Sequence, residues 1–321
     1  MINTTKLLQQ KEYLFLHNNP DLKNVIYLTL SGSYAYGTNN EASDIDLRGI
    51  LIEDKRYLFG LNSFEQFEDE QTDTVIYSLK KFVGLCANAN PNALELLGTD
   101  ENCLVKITKA GQILRNNASL FLTRRAADSF GNYASAQLRR LANALCHDYY
   151  DPEQQKKHLS DILNAQIGHF SSTYTSFDKN SIKLYTQKEQ LLCDLNLQAY
   201  PLKDFAGIYS EMQNIIRTYG KLNHRNKKKD DKHLYKHAMH LIRLLIMGKD
   251  ILGNKGIITK RISEHQLLMD LRNGKYTFAE IFAMADRYQE EFAKATQVSV
   301  LPDQPDMEKI EQLLVELYQT F

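Results

Sequence analysis

Apolar residues change their spacing once along this chain. Leu7, Leu8, Leu14 and Phe15 recur at helical intervals and predict an amphipathic helix over residues 3 to 18. Val25 to Leu30 (VIYLTL) is then a continuous β-branched, aromatic and aliphatic run, as in a buried strand, and it stops at Ser31-Gly32-Ser33. From Asp44 the residues alternate. Asp44, Asp46 and Arg48 fall on one face and Ile45 and Leu47 on the other, which predicts a strand with one wet, charged edge. A third strand is expected from Asp73, with Val75 and Tyr77 on its face, after a loop holding Glu65, Glu68, Asp69 and Glu70. Ser78 reads as an N-cap, and Leu79, Phe82, Val83 and Cys86 form the stripe of the helix behind it. Asn90-Pro91 is read as the end of that helix and Ala93 to Leu97 as a short turn closed by Gly98, after which no strand is expected.

From about residue 105 the period is helical. Ala134, Leu138, Leu141 and Leu145 mark one helix, Ile281, Ala285, Tyr288 and Phe292 another, and Ile310, Leu313, Leu314 and Leu317 the last. Ser263 with Gln266, and Thr277 with Glu280, read as capping boxes that start two helices. Across residues 233 to 252 most of the helix circumference is apolar, so that helix has to be buried. These patterns divide the chain into an α/β half, residues 1–104, and a helical half, residues 105–321.

Composition narrows the class. At 321 residues the chain is long enough for two cores, and 39 Lys+Arg against 39 Asp+Glu exclude a globally basic nucleic-acid binder. Any polyanion contact has to come from a local patch. Cys86, Cys103, Cys146 and Cys193 lack C-x-x-C spacing and read as thiols in a reducing compartment. With no apolar leader core and no run of membrane-spanning length, the expectation is a cytoplasmic protein with no membrane partner.

The chemistry concentrates at the first two strands. A Gly-Ser turn at a strand end lets backbone N–H groups and a hydroxyl approach phosphate oxygens. Asp44 and Asp46 then stand side by side, where like charges need a cation, and oxygen-only donors suit Mg2+ or Mn2+, which also bridge phosphates. Arg48 is placed to pair with a carboxylate or phosphate. Tyr34 and Tyr36 flank the turn and read either as base-stacking or as core residues. The lysine-rich segment 221–236 reads as a basic arm that grips RNA or triphosphate, or as a solvated inter-helix loop. Lys236, His240 and Arg243 form a cationic stripe on the buried helix, and cations so placed need anions, either substrate phosphates or acids of the protein.

Together these motifs carry a resemblance. Gly32-Ser33, ten residues and then Asp44-Ile45-Asp46 resembles the signature of the DNA polymerase β-type nucleotidyltransferase superfamily. GSYAYGT, SDIDLRG, NPNALELL at 90–97 and KHAMHLIRLLIMG at 236–248 more narrowly resemble bacterial and phage predicted nucleotidyltransferases associated with RNA-repair pathways. The resemblance implies an α+β fold, a small mixed β-sheet flanked by helices, followed by a helical domain that closes the active-site cleft. It implies two divalent metals and transfer of a nucleoside monophosphate from an NTP. Gly32 and Ser33 would hold the β- and γ-phosphates, Asp44 and Asp46 the metals, and Asp73 would supply the third carboxylate and the general base. The cationic stripe would hold the triphosphate or the acceptor phosphate. An RNA end is the first expectation for the acceptor, a protein hydroxyl the second, and a catalytically idle, antitoxin-like nucleotide-binding module the alternative outside catalysis.

Overall fold

The computed structural model describes residues 7–41, 43–149, 152–174, 176–187, 190–225 and 231–320. Its centre is a five-stranded mixed sheet in the order β3-β4-β2-β1-β5, built from β1 (Val25–Leu30), β2 (Leu47–Leu51), β3 (Gln66–Asp69), β4 (Thr74–Ser78) and β5 (Leu104–Ile107). β2 runs parallel to β4 with Arg48 opposite Val75, and antiparallel to β1 with Arg48 opposite Thr29. All six residues of β1 are buried because both sheet faces are covered, which is why its sequence is continuously apolar and not alternating. One face carries Leu28, Leu30, Leu47, Leu51 and Ile76 against the N-terminal segment. The other carries Tyr27 and Ile50 against α4 (Leu79–Ala87), α5 (Pro91–Leu97), α6 (Lys109–Asn116) and the C-terminal α13 (Met307–Gln319).

The α+β class is as expected, and several local readings are not. β5 was unforeseen: it has four residues with a lysine among them, too few to show alternation, and it pairs antiparallel with β1. The supposed loop before Asp73 is β3, and Asp73 ends the β3–β4 turn at φ +43° and does not head a strand. Asn90-Pro91 starts α5 where a helix stop was read. Asn90 accepts from the Asn92 and Ala93 N–H groups, and Pro91 occupies the first turn, where no donor is needed. Residues 7 to 18 fold as short helical pieces, among them α1 (Phe15–Asn18), where one helix was expected. The Thr277–Glu280 capping box forms, whereas α11 (His265–Arg272) begins after Glu264 with no side-chain cap from Ser263.

By contact the chain forms two compact units, and these do not follow the 104/105 division. One unit comprises Met1–Gln137 and Ala238–Phe321, the other Leu138–His237. The C-terminal residues join the sheet because α13 packs on α4 and α6. Within the first unit, Ala238 to Leu252 of α10 (Asp231–Leu252) is almost wholly buried, as its apolar circumference required. The second unit packs α8 (Pro152–Thr173), α9 (Leu202–Arg225) and a hairpin, β6 (Ile182–Gln187) and β7 (Gln190–Leu195), around Ile167, Phe170, Phe177, Ile182 and Ile208. That hairpin is the strand pair in a second half whose spacing otherwise reads as almost wholly helical. No helix among the described residues is long and apolar enough to cross a membrane.

Candidate active site

The chain leaves β1 at Ser31, whose N–H donates to Asp46 O at 2.8 Å and ties the end of β1 to the approach to β2. Gly32 follows at φ +56° and opens α2 (Gly32–Tyr36). A Cβ at Gly32 would run into Asp46 Oδ2 and lie 3.1 Å from its Cγ, so no residue but glycine meets both the left-handed backbone and the closeness of that carboxylate. The Gly-Ser turn and the second aspartate of the D-x-D pair are therefore one contiguous surface.

The acidic segment differs from the expected strand. β2 begins at Leu47, so Asp44 and Asp46 lie in the chain leading into it, Asp44 exposed and Asp46 half-buried. The spacer before them is held from outside. His265 Nε2 lies 2.8 Å from Gly37 O, and Arg272 donates to Thr38 O and, at 3.1 Å, to Ser43 Oγ. α11 thus clamps both ends of the loop that joins Gly-Ser to the aspartates, a support that no local sequence signal carries.

A cavity of about 270 Å3 opens at this point. Ser31, Gly32 and Asp46 form one side of it, Arg48, Val75 and Tyr77 the sheet floor, and Tyr36, Asn92 and Glu95 the helical wall. Arg48 Nη2 pairs with Asp73 Oδ1 at 2.8 Å, and Nη1 donates to the carbonyls of Leu47 and Asp73. Asp73, 60% exposed, engages the arginine, and the β4 residue on the cavity floor is Val75. The expected third carboxylate therefore serves here as the partner of Arg48. The reason is its left-handed backbone, which removes it from the alternation of β4. No group of three or more His, Cys, Asp or Glu placed to hold a metal occurs among the described residues.

Glu95 is central to the wall. It is 5% exposed, accepts from Tyr36 OH at 2.7 Å on Oε1 and from Arg243 Nη1 at 2.8 Å on Oε2. The guanidinium carbon of Arg243 lies 3.6 Å from the Tyr36 ring centroid, and His240 meets the same ring edge-on at 6.0 Å. Burial pushes the Tyr36 phenol above its ordinary range against the opposing charge of Arg243, with Glu95 and Asp46 reinforcing the rise, so it stays a donor. Burial also works against the charge of Arg243, and Tyr36 and Glu95 outweigh it. Tyr36 is thus a core residue with one edge on the cavity. Of the expected cationic stripe, Arg243 is used by Glu95 and so is not a free phosphate ligand, His240 packs beside it, and Lys236 is exposed in the stretch of α10 belonging to the other unit.

Two further expectations stand apart. Ser33 is half-buried in α2, one residue beyond the cavity-lining Gly32. Most of the basic segment 221–236 is helical, in α9 and α10, and residues 226–230 lie outside the described residues.

The donors that face the cavity suit a hard divalent cation that keeps open positions for phosphate. Mg2+ is typically held by one or two carboxylates with substrate phosphates and water completing its shell. Asp46 lines the cavity and fits that donor set, while Asp44, two residues before it and exposed, is not among the lining residues. No match was found among curated proteins. A family model described as the RNA repair pathway DNA polymerase beta family matches residues 8–316. Matched over nearly all of its length, the chain belongs to the RNA repair pathway DNA polymerase beta family.

Proposed function

We propose that this protein transfers a nucleoside monophosphate from an NTP to an acceptor hydroxyl, using Mg2+ or Mn2+ held by Asp44 and Asp46. The observation that carries this reading is the abutment of Gly32 on the Asp46 carboxylate at the mouth of a cavity, which brings a backbone suited to phosphate oxygens against a metal-binding acid. The polymerase β-like family supports nucleotidyl transfer as the reaction class.

In the reaction the acceptor oxygen attacks the α-phosphorus, the bond from that phosphorus to the bridging oxygen breaks, pyrophosphate leaves and the acceptor proton passes to solvent. The chain's own part is positional. Gly32 and Ser33 offer N–H groups and a hydroxyl to the β- and γ-phosphates. Asp44 and Asp46 would hold the divalent cation, which when bound would supply positive charge to offset that on the attacked phosphoryl and the leaving group. Arg48, held by Asp73, presents fixed positive charge at the cavity floor. Asp73 acts through Arg48 in this scheme, and its use as a third metal ligand would require that pair to open.

RNA is the proposed acceptor, supported by the repair context of the family, with lysines of segment 221–236 as its contacts. Incubation with α-labelled NTP, Mg2+ or Mn2+, and either RNA or cell lysate tests the proposal against the Asp44→Ala/Asp46→Ala variant. Label in RNA supports the full reading, label in a polypeptide moves the acceptor to protein, and binding without any transfer reduces the chain to a nucleotide-binding module.

A further inference from the structure

The cavity has two chemically opposite walls. Gly32 and Arg48 make one side tolerant of anions, while the α5 wall presents the Glu95 carboxylate, which repels phosphate and seeks O–H or N–H donors. We infer that this wall reads the sugar of the nucleotide, with Asn92 and Glu95 as the pair that selects ribose over 2′-deoxyribose. The inference rests on the nucleotidyl-transfer reading and names the substrate class of the same site.

Three observations support it. Asn92 and Glu95 are three residues apart on α5, so they share one helix face, and both line the cavity with Asp46. The Asn92 side chain makes no hydrogen bond among the described residues, leaving an amide able both to donate to and accept from a hydroxyl. Glu95 takes one protein donor on each oxygen, and a carboxylate oxygen has room for two. The unfilled capacity lies at a cavity wall and is held there rigidly, because Tyr36 and Arg243 fix the carboxylate from behind and Thr259 Oγ1 donates to the Glu95 carbonyl at 2.7 Å.

The chemistry then selects the ligand. Next to the phosphates of a nucleotide, the neutral O–H donors are those of the sugar, and the 2′-hydroxyl is the one a deoxynucleotide lacks. A competing role for Glu95 as proton acceptor for the attacking hydroxyl is disfavoured by its pairing, since protonating it would leave Arg243, 4% exposed, without its counter-charge.

The test is equilibrium binding of each ribonucleoside triphosphate and its 2′-deoxy counterpart to the full chain with Mg2+, alongside inorganic tripolyphosphate, which has no sugar. A site that hydrogen-bonds a substrate hydroxyl penalises the analogue lacking it, so the ribonucleotide should bind about tenfold tighter or more. Asn92→Ala should collapse that ratio toward one; Asn92 is exposed and its backbone N–H is capped by Asn90, so the variant is expected to fold. Equal binding of the two sugars by the wild type, or an unchanged ratio in Asn92→Ala, overturns the sugar inference while leaving triphosphate binding in place. Failure to bind any triphosphate, tripolyphosphate included, overturns the nucleotide reading and this inference with it.

Discussion

Arg243 sits at a choice between two physical roles, and one substitution separates them. Its Nη1 bonds Glu95 at 2.8 Å, its plane covers Tyr36, and its Nε is buried with no hydrogen-bond partner among the described residues. Such a guanidinium is committed to its neighbours. Arg243→Met keeps most of the side-chain volume but leaves Glu95 buried without its counter-charge, a loss of about 3–5 kcal/mol. For a cooperative unit of this size that corresponds to a fall in Tm of roughly 6–20 °C. Glu95→Leu should cost a similar amount by orphaning the arginine. The double variant should cost less than the sum by about 1–3 kcal/mol, because each change removes the penalty that the other creates. Urea unfolding followed by far-UV dichroism measures all four corners of the cycle. If Arg243→Met unfolds within about 1 kcal/mol of wild type yet loses triphosphate binding, the reasoning fails and Arg243 is a substrate ligand.

Other expectations follow from the same geometry. Gly32→Ala forces an L side chain into a left-handed backbone for about 1–2 kcal/mol and drives its methyl into Asp46; thermal melts should show the modest loss, and nucleotide transfer should fall much further than stability does. Arg272→Ala removes the clamp on Thr38 and Ser43 without touching the cavity, so the Mg2+ concentration needed for half-maximal transfer should rise; an unchanged Mg2+ titration would show that α11 does not position the aspartates. Cys86 and Cys103 are buried, with burial pushing both thiols up, whereas Cys193 is exposed. Mass spectrometry after native alkylation should therefore find Cys193 labelled and Cys86 and Cys103 labelled only on unfolding.

The sequence exposed those parts of the fold in which local pattern and tertiary role agree. β1, α4, the buried α10 and the capped α12 (Phe278–Val298) each carry enough residues for their period or cap to be read. β3 and β5, at four residues each, are too short for alternation to stand out, and they are strands because β4 and β1 offer open edges. Asn90-Pro91 was legible in principle, since Asn before Pro at a first helical turn is a start signal as much as a stop. The Gly32–Asp46 contact was anticipated by a motif, whereas for Arg243 the need for an anion was legible and its partner Glu95 was not. The pair joins residues 148 apart, and neither shows in its own neighbourhood that the other waits across the core. Asp73 misled for a local reason: its left-handed backbone is invisible in a run that reads as a strand.

The central claim is that the Asp46 carboxylate, set against Gly32, would hold the divalent cation needed for α-phosphoryl transfer. Parallel incubations with NTP labelled at the α- or the γ-phosphate, using wild type and Asp46→Asn, measure it directly. Incorporation of the α label alone into the acceptor, release of the γ label as pyrophosphate, and loss of both events in Asp46→Asn is the predicted result. Transfer of the γ label, or full transfer by Asp46→Asn, would contradict it.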